Sequence, residues 1–373
     1  MTAPKLIPVS RPLISQKDIQ FVEKALSSTY VAGGEFIPQF ESAVSKYCGR
    51  KYAVAVTNAT SALYLAVRAL TLPPGSKILI PSFTIVSVLH AVLLNGCIPQ
   101  FIDVDPRTWN VSRKSVEQSR SSAIKAAIIP ETYASAPPME EIQILMEKYK
   151  IPLIEDAAEG FGGSCRNKPF GSFGEMSILS FYANKLITTG EGGMILTDKK
   201  SLYDRLALLR NLYFDPDRKF IHRFLSGNYR MTNLQAALGL SQFYRIQSMY
   251  QYRKKLYQIY LENLKKDSHK YFDFQKIPSQ IKSSYWVFPV LLRNFSEKKT
   301  LSLMKNLLKN GIESRHFFYP LDKQPLLKSK NKFNSVSLNL FSKGIYLPLG
   351  NAISENEVRT SSKIFLKLLR EYS

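Results

Sequence analysis

Short apolar runs alternate with amphipathic stretches between about residues 50 and 200. Runs of five or six mostly apolar residues predict strands buried on both faces, and apolar residues at helical spacing predict the helices between them. This alternation is typical of βαβ units around a mostly parallel sheet, so it predicts an α/β domain. The predicted strands are Ala53–Thr57, Lys77–Pro81, Pro99–Val104, Ala126–Pro130, Pro152–Asp156, Met176–Phe181 and Gly193–Thr197, and the predicted helices are Thr60–Leu72, Ile85–Leu94, Ser112–Ser119 and Met139–Tyr149.

The pattern changes after residue 193. Gly193–Thr197 follows Met176–Phe181 too closely for a helical crossover, so these two strands are predicted to pair antiparallel. Helical patterning then extends from Leu234 to Leu264. The stretch around Tyr244–Gln251 is predicted to connect a large domain, residues 1–245, to a smaller α+β domain, residues 246–373. Beyond these elements, helices are predicted at Leu202–Arg210, Glu297–Lys309 and Glu355–Arg370, and strands at Ser284–Leu292 and Ile312–Phe318.

The 373 residues carry a formal net charge of +22, most of it in the C-terminal third. Residues 251–373 contain 23 Lys and Arg against 9 Asp and Glu. The basic clusters are short and lie on stretches with helical spacing, which favours solvated helix faces over a nucleic-acid surface. A positive field would also attract an anionic small substrate. The clusters are Arg253-Lys254-Lys255, Lys265-Lys266 and Lys298-Lys299.

The remaining composition argues against several classes of protein. No apolar run has the length of a membrane helix, and the N-terminus lacks the apolar core of a signal peptide, so no membrane association is predicted. Cys48, Cys97 and Cys165 are odd in number and widely spaced, so neither a disulfide framework nor a metal site is expected. These features predict a cytoplasmic protein.

Three groups of polar residues follow predicted strands, at the edge where an open α/β sheet binds ligands. The turn Asn58–Leu63 enters a helix and can hold a phosphate with its N–H groups, although alone it is an ordinary N-cap. The segment Glu155–Glu159 can keep a heteroaromatic nitrogen protonated, although a solvated strand end is about as common. Lys185, after Ser180, can form a Schiff base if partly removed from water, although a lysine is usually a surface cation. Together they predict a pyridoxal 5′-phosphate (PLP) site.

Several long motifs resemble one enzyme family. The stretches SFYANKLITTGEGGMILT, EDAAEGFGG and GNYRMTNLQAALGLSQ are similar to those of the DegT/DnrJ/StrS-type sugar aminotransferases. The resemblance extends from about Ile7 to Leu321, and it is closest to the 4-aminotransferases of the perosamine and viosamine type. It implies PLP-dependent transferase fold type I, the aspartate aminotransferase-like fold, with a large mainly parallel sheet domain and a smaller α+β domain.

The resemblance assigns roles to three residues of the predicted cofactor site. Lys185 would be the lysine that forms the internal aldimine with PLP, and it would also move the proton. Asp156 would pair with the pyridinium nitrogen and keep the ring an electron sink. Glu159 falls where the family has Gln or Glu near the phenolic oxygen of PLP.

The phosphate end of PLP is also assigned by resemblance. Thr60 and Ser61 would bind the phosphate largely through backbone N–H groups, and Ser180 would add its hydroxyl. Asn228 matches an asparagine that reaches the cofactor phosphate of the neighbouring subunit. The resemblance therefore implies a homodimer with two shared active sites.

Two positions depart from the family pattern. Ile85 stands where the family usually has an aromatic residue that stacks on the PLP ring, and Phe83 lies two residues earlier. Glu131-Thr132-Tyr133-Ala134 stands where family members commonly read HLYG. The change removes a histidine and adds a negative charge to that part of the site.

The implied reaction moves an amino group in two halves, with L-glutamate as donor and pyridoxamine 5′-phosphate as the intermediate cofactor form. The loop ITTGEGG is similar to that of 4-aminotransferases, which implies a nucleotide-linked 4-keto-6-deoxyhexose as acceptor, on GDP, UDP or dTDP. Lys219 and Arg223 are candidates for the diphosphate, and His316 and Tyr319 for the sugar.

Three alternatives stay open. The protein could be a 3-aminotransferase, although that group more often reads NLGAxGDGG at this loop. It could be a sugar 3-dehydratase, although relatives with that activity have histidine in place of Lys185. A non-catalytic protein that binds nucleic acid with its basic C-terminal region is the alternative of another class. Intact Lys185, Asp156 and Ser180 argue against it.

Overall fold

A seven-stranded sheet forms the centre of the N-terminal two thirds of the chain. The structure is a computed structural model that describes residues 5–215, 217–218, 220–222, 224–327 and 336–372. The first nine strands in chain order are β1 (Tyr52–Val56), β2 (Lys77–Pro81), β3 (Ile98–Ile102), β4 (Ile124–Pro130), β5 (Leu153–Asp156), β6 (Ser164–Cys165), β7 (Lys168–Pro169), β8 (Met176–Ser180) and β9 (Gly193–Thr197).

The large sheet has the strand order β1-β9-β8-β5-β4-β2-β3. Its neighbouring strands are parallel except at β9, which is antiparallel to both β1 and β8. The predicted mainly parallel sheet and the predicted antiparallel pairing of Gly193–Thr197 are therefore confirmed. All seven predicted strands are present, with ends that differ by one or two residues.

Helices cover both faces of this sheet, which explains why its strands are apolar at nearly every position. In β1, Ala53 and Ala55 belong to the hydrophobic core on one face, while Val54 and Val56 belong to the core on the other. The helices of this region are α1 (Gln16–Ser27), α2 (Phe36–Tyr47), α3 (Ala59–Ala69), α4 (Val86–Leu94), α5 (Arg113–Gln118), α6 (Met139–Lys148), α7 (Lys200–Leu209) and α8 (Asn233–Phe243).

The carboxyl ends of β1, β5 and β8 come together at one edge of the sheet. At the end of β1, Asn58 caps helix α3 by accepting a hydrogen bond from the backbone N–H of Ser61 at 2.8 Å. Gly193 begins β9 against this turn, and a Cβ atom there would overlap the backbone of Asn58. The close approach of β9 to the start of α3 therefore requires glycine.

The C-terminal third builds a second, smaller unit with its own hydrophobic core. Its four-stranded antiparallel sheet has the order β10-β12-β14-β13, and β11 pairs instead with β6 of the N-terminal part. These strands are β10 (Phe272–Phe274), β11 (Ile281–Lys282), β12 (Phe288–Leu292), β13 (Arg315–His316) and β14 (Gly344–Leu347). The helices are α9 (Ile246–Leu264), α10 (Glu297–Lys309), α11 (Val336–Lys343) and α12 (Glu355–Glu371), with short 3-10 turns at Lys265–Asp267 and Leu321–Lys323.

Several predicted elements of this third are wrong in extent. The predicted helix from Leu234 to Leu264 is two helices, α8 and α9, because the chain breaks at Tyr244 and Arg245. The predicted strand Ser284–Leu292 begins only at Phe288, since Tyr285 has a left-handed backbone with φ of 51° and cannot extend a strand. The predicted strand Ile312–Phe318 shrinks to the two residues of β13.

The predicted division near residue 245 coincides with the start of α9, and it stays a prediction. The N-terminal segment crosses it, because Ile7 forms a β-bridge with Ile312 and Arg11 donates hydrogen bonds to the carbonyl oxygen of Ala352. Among the described residues, none of the helices combines the length and the apolar character that crossing a bilayer requires.

Candidate active site

A cavity of about 420 Å³ opens at the edge where β1, β5 and β8 end. Its size is within the range of small-molecule sites. It lies between the large sheet and the C-terminal unit, which contributes Trp286, Phe318 and Tyr346 to its wall. Six of the residues predicted for the cofactor site line it, namely Thr60, Ile85, Asp156, Glu159, Ser180 and Lys185.

Lys185 is half-buried in the turn that follows β8, where its backbone N–H donates to the carbonyl oxygen of Tyr182 at 2.9 Å. Its Nζ atom lies 3.7 Å from the centroid of the Trp286 ring. Burial lowers the pKa of the Lys185 amine to about 8, against the opposing effect of the Glu159 and Asp156 carboxylates. A neutral amine, the nucleophilic form, is therefore accessible close to physiological pH.

Two buried carboxyl groups face this amine. Burial raises the pKa of Asp156 to about 6 and that of Glu159 to about 7, and the Lys185 charge opposes both shifts. Asp156 accepts a hydrogen bond from the N–H of Ala158 at 3.3 Å, and Glu159 accepts one from the N–H of Tyr133 at 2.8 Å. The carboxylates are thus held in place by backbone donors from rigid turns.

Glu131 lies behind these carboxyl groups and outside the cavity. It is 2% exposed, and neither of its side-chain oxygens has a hydrogen-bond partner. A Cβ atom on Gly160 would come within 2.7 Å of its Oε2 atom, so the surrounding space is tight. Burial, followed by the nearby charges of Glu155 and Asp156, raises the pKa of Glu131 well above its ordinary value. Burial and these neighbouring charges therefore favour the neutral, protonated form of the Glu131 carboxyl group over the charged form expected from the sequence.

Hydroxyl groups and a helix N-terminus form the other end of the cavity. Thr60, in the first turn of α3, shares a hydrogen bond of 2.8 Å with the hydroxyl of Ser87 in α4. Ser180 ends β8 on the same cavity wall. Helix N-termini favour anions, so this end suits a phosphate. An amine, a carboxylate and a phosphate site along one cavity form the donor set that PLP requires, and the residues present therefore fit this cofactor.

The family is decided by comparison with known proteins. The model of the DegT/DnrJ/EryC1/StrS aminotransferase family matches residues 12–364. The chain belongs to this aminotransferase family. A relative named GDP-perosamine synthase, from Escherichia coli O157:H7, is 33% identical over 355 residues, which are 95% of this chain and 96% of the relative. The predicted sugar aminotransferase class is thereby confirmed.

Solved structures of an aminotransferase and of a sugar dehydratase share the fold. Helicobacter pylori PseC, an aminotransferase involved in the biosynthesis of pseudoaminic acid, has a TM-score of 0.92 at 24% identity, covering 98% of this chain and all of that one. A GDP-4-keto-6-deoxy-D-mannose-3-dehydratase of E. coli with bound hydrated PLP has a TM-score of 0.89 at 22% identity, covering 97% of this chain and 100% of that one. The predicted aspartate aminotransferase-like fold is confirmed.

Other residues predicted from the family resemblance lie away from the cavity. The backbone N–H of Ser61 donates to the side chain of Asn58, which caps α3. His316 and Tyr319 both pack edge-on against the ring of Phe341. The side chain of Asn228 accepts hydrogen bonds from Arg230. None of these four lines the cavity in the described chain. Lys219 and Arg223 lie outside the described residues.

The departure from the family pattern at Ile85 lies in the wall of the cavity. Ile85 precedes α4 and faces the cavity, where the family has its stacking aromatic ring. Phe83 does not replace that ring, since it is fully buried and contacts the rings of Tyr133, Phe317 and Phe318. The cavity wall at this point is therefore aliphatic.

The prediction that the basic clusters lie on solvated helix faces is wrong for Arg253. Arg253 begins the first of the basic clusters, yet it is only 1% exposed and donates hydrogen bonds to the carbonyl oxygens of Asn184 and Lys185. The aromatic residues of the C-terminal unit in the cavity wall were also not predicted. For Trp286, whose ring lies 3.7 Å from the Lys185 Nζ atom, the signal was the aromatic-rich segment Ser284–Phe288.

Proposed function

We propose that the protein is a PLP-dependent 4-aminotransferase that acts on a nucleotide-linked 4-keto-6-deoxyhexose with L-glutamate as amino donor. The observation that carries the proposal is the meeting of Lys185, Asp156 and Ser180 in one cavity of a DegT/DnrJ/EryC1/StrS family member. The 33% identity to a GDP-perosamine synthase favours a 4-amino-4,6-dideoxyhexose product and makes GDP the first carrier to test. UDP and dTDP remain the alternatives.

Four residues of the cavity have a chemical task in this proposal. Bound PLP would supply an aldehyde that takes up the amino group and a protonated ring that holds an electron pair. Asp156 would accept the hydrogen bond of the ring nitrogen, for which it must be ionised. Thr60 would hold the phosphate mainly through its backbone N–H group, and Ser180 through its hydroxyl. Lys185 would hold the aldehyde end through its Nζ atom and, as a free amine, would move a proton as a general base.

A homodimer with shared active sites is part of the proposal. Asn228 is exposed on the loop after α7, and the apolar residues Phe220 and Leu225 of the same loop are more than 80% exposed. Exposed apolar side chains of this size favour burial against another chain. A second copy would cover them and bring Asn228 to the phosphate end of the partner's cavity. Lys219 and Arg223 stay candidates for the substrate diphosphate, and His316 and Tyr319 for the sugar.

The sugar 3-dehydratase is the second candidate, because such an enzyme shares the fold at a TM-score of 0.89. The fold does not discriminate between the two reactions. Lys185 favours amino transfer, since its primary amine can bond the cofactor and then act as the base. A 3-aminotransferase would need an acceptor with its keto group at C3 rather than at C4, because the amino group replaces the keto oxygen. The free cysteines, Cys48, Cys97 and Cys165, are all buried and unpaired, which agrees with a reducing cytoplasmic compartment.

The decisive experiment offers GDP-, UDP- and dTDP-4-keto-6-deoxyhexoses with L-glutamate to the PLP-loaded protein. Mass spectrometry and NMR identify the product, and Lys185→Ala is the matched inactive control. We expect a 4-amino sugar from one carrier, together with one equivalent of 2-oxoglutarate. A 3-deoxy sugar would establish the dehydratase instead, and turnover of the corresponding 3-keto-6-deoxyhexoses alone, offered in a parallel reaction, would establish the 3-aminotransferase. Absence of any product, with no visible absorption from bound cofactor, would refute the enzyme proposal.

A further inference from the structure

Arg253 holds the backbone of the Lys185 turn from helix α9. Its Nη2 atom donates hydrogen bonds to the carbonyl oxygen of Lys185 at 2.6 Å and to that of Asn184 at 3.1 Å. These carbonyls have no place in the sheet, because the turn lies beyond the end of β8. Both hydrogen bonds come from this one amino group, and the planar guanidinium fixes its orientation relative to Nε.

Asn351 completes this contact from the segment after β14. Its Oδ1 atom accepts a hydrogen bond from Arg253 Nε at 3.0 Å, and its Nδ2 atom donates to the carbonyl oxygen of Leu186 at 2.7 Å. Both side chains are buried, with Asn351 at 5% exposure. Three consecutive carbonyls, from Asn184 to Leu186, are therefore fixed by two side chains of the C-terminal third.

The charge of Arg253 has no carboxylate partner among the described residues. Burial lowers the pKa of its guanidinium to about 9, and its Nη1 atom has no hydrogen-bond partner. A small cavity behind the active site is lined by Arg253 together with Lys185, Glu159 and Trp286. Burying a cation without a charged partner is unfavourable to the stability of the fold.

We propose that Arg253 and Asn351 are positioning residues that fix the Lys185 turn to the C-terminal unit, and that the Arg253 charge favours the neutral, reactive form of the Lys185 amine. The inference rests on the proposed role of Lys185 in bonding the cofactor. It adds that the C-terminal unit controls both the place and the charge state of that amine.

The charged groups around Lys185 make the electrostatic part specific. Burial opposes the ammonium form most strongly, Asp156 at the end of β5 and Glu159 in the turn that follows favour it, and Arg253 from α9 opposes it. The Trp286 ring, before β12, also favours the ammonium form through its face. Arg253 thus adds a nearby cation to the effect of burial, so its removal should leave Lys185 more strongly protonated.

Four variants separate position from charge. Arg253→Met removes both the positive charge and the hydrogen bonds of Arg253. Arg253→Lys keeps the charge but replaces the planar guanidinium. Asn351→Ala removes only the hydrogen bonds that Asn351 makes to Arg253 and Leu186. Lys254→Met is the matched control, because it removes a cation at the next position of α9, and the half-buried Lys254 contacts neither Lys185 nor its turn.

The full-length protein, freed of cofactor, is labelled with an amine-selective reagent across a range of pH values, and mass spectrometry measures the labelled fraction of the Lys185 peptide. Hydrogen exchange of the backbone amides in the peptide 182–189 measures how firmly the turn that contains Lys185 is held.

We expect Arg253→Met to move the labelling midpoint of Lys185 upward by about one pH unit, which means about tenfold slower labelling at neutral pH. Arg253→Lys should keep the midpoint close to that of the wild type. Arg253→Lys and Asn351→Ala should both exchange faster in the peptide 182–189, and Lys254→Met should change neither readout.

An unchanged midpoint in Arg253→Met, or an equal shift in Lys254→Met, would overturn the electrostatic part. Unchanged exchange in both Arg253→Lys and Asn351→Ala would overturn the positioning part. Neither readout needs cofactor or substrate. A wild-type protein that fails to transaminate while showing the expected shifts would refute the proposed function and leave the relation between Arg253 and Lys185 intact.

Discussion

The Nζ atom of Lys185 lies 3.7 Å from the ring centroid of Trp286, so the Lys185 amine lies on an aromatic face supplied by the C-terminal unit. A cation above an indole ring is stabilised by about 0.5–2 kcal/mol. This contact partly offsets the burial that lowers the pKa of Lys185 to about 8. Trp286 and Arg253 thus act on the same amine in opposite directions.

Trp286→Phe should lower the pKa of Lys185 further, because a phenyl ring attracts a cation less strongly than indole while it preserves most of the packing. We expect the labelling midpoint of the cofactor-free protein to fall by about half a pH unit. Trp109→Phe is the control, since Trp109 is the other tryptophan of the chain and is buried against Phe317 rather than Lys185. An upward shift in Trp286→Phe would mean that water entry outweighs the ring contact.

Asp156→Asn should separate cofactor attachment from catalysis. An amide cannot keep the ring nitrogen protonated, so the electron sink is lost although the Lys185 amine remains. We expect the protein to bind PLP covalently, seen by visible absorption and by borohydride reduction with peptide mapping, while kcat falls by about a hundredfold or more. Lys185→Ala should instead lose the covalent link. Full activity in Asp156→Asn would remove Asp156 from the proposed mechanism.

The sequence predicted the parts of this site that depend on strand ends. Apolar runs located β1, β5 and β8, and parallel strands bring their carboxyl ends to one edge, so Thr60, Asp156, Ser180 and Lys185 could be predicted to meet. The structure places all four in one cavity. Local pattern was sufficient here because the positions follow directly from sheet topology.

The sequence could not predict the residues that reach the site through tertiary packing. Arg253 lies in a run of basic residues on an amphipathic helix, and nothing local distinguishes it from Lys254 or Lys255. Its burial depends on how α9 packs against the turn after β8. The direction of the Phe83 ring likewise depends on Tyr133 and Phe317, which are distant in sequence. Both outcomes are set by contacts between elements rather than by the period of one element.

Glu131→Gln should change how stability depends on pH. Burial raises the pKa of Glu131 in the folded state, so the folded protein binds this proton more tightly than the unfolded chain does. The resulting stability is fully present below the ordinary glutamate pKa and is lost as pH rises toward the folded-state value, at about 1.4 kcal/mol per pH unit. Glutamine carries no such proton, so the variant should gain stability relative to the wild type as pH rises from 5 to 8.

Thermal and urea unfolding across this pH range measure the difference between Glu131→Gln and the wild type. Glu117→Gln, at an exposed position of α5, is the control for the same substitution on the surface. A constant penalty for Glu131→Gln at every pH would indicate that the wild-type carboxyl group is ionised in the fold. A raised pKa favours the uncharged form of Glu131, which makes a carboxyl group beside Glu155 and Asp156 tolerable.

Ile85→Phe should strengthen cofactor binding, because it returns an aromatic ring to the cavity wall where this chain has an aliphatic one. Ile85 is 37% exposed at the start of α4, so a larger side chain can enter the cavity without displacing the core. Aromatic stacking adds about 0.5–1.5 kcal/mol, which corresponds to a PLP dissociation constant lower by about two- to tenfold. Absorbance titration of the cofactor-free protein measures this constant. Leu94→Phe, at the exposed opposite end of the same helix, should leave it unchanged. Weaker binding in Ile85→Phe alone would mean that the aliphatic side chain contacts the bound cofactor, and that the cavity has no room for a phenyl ring at this position.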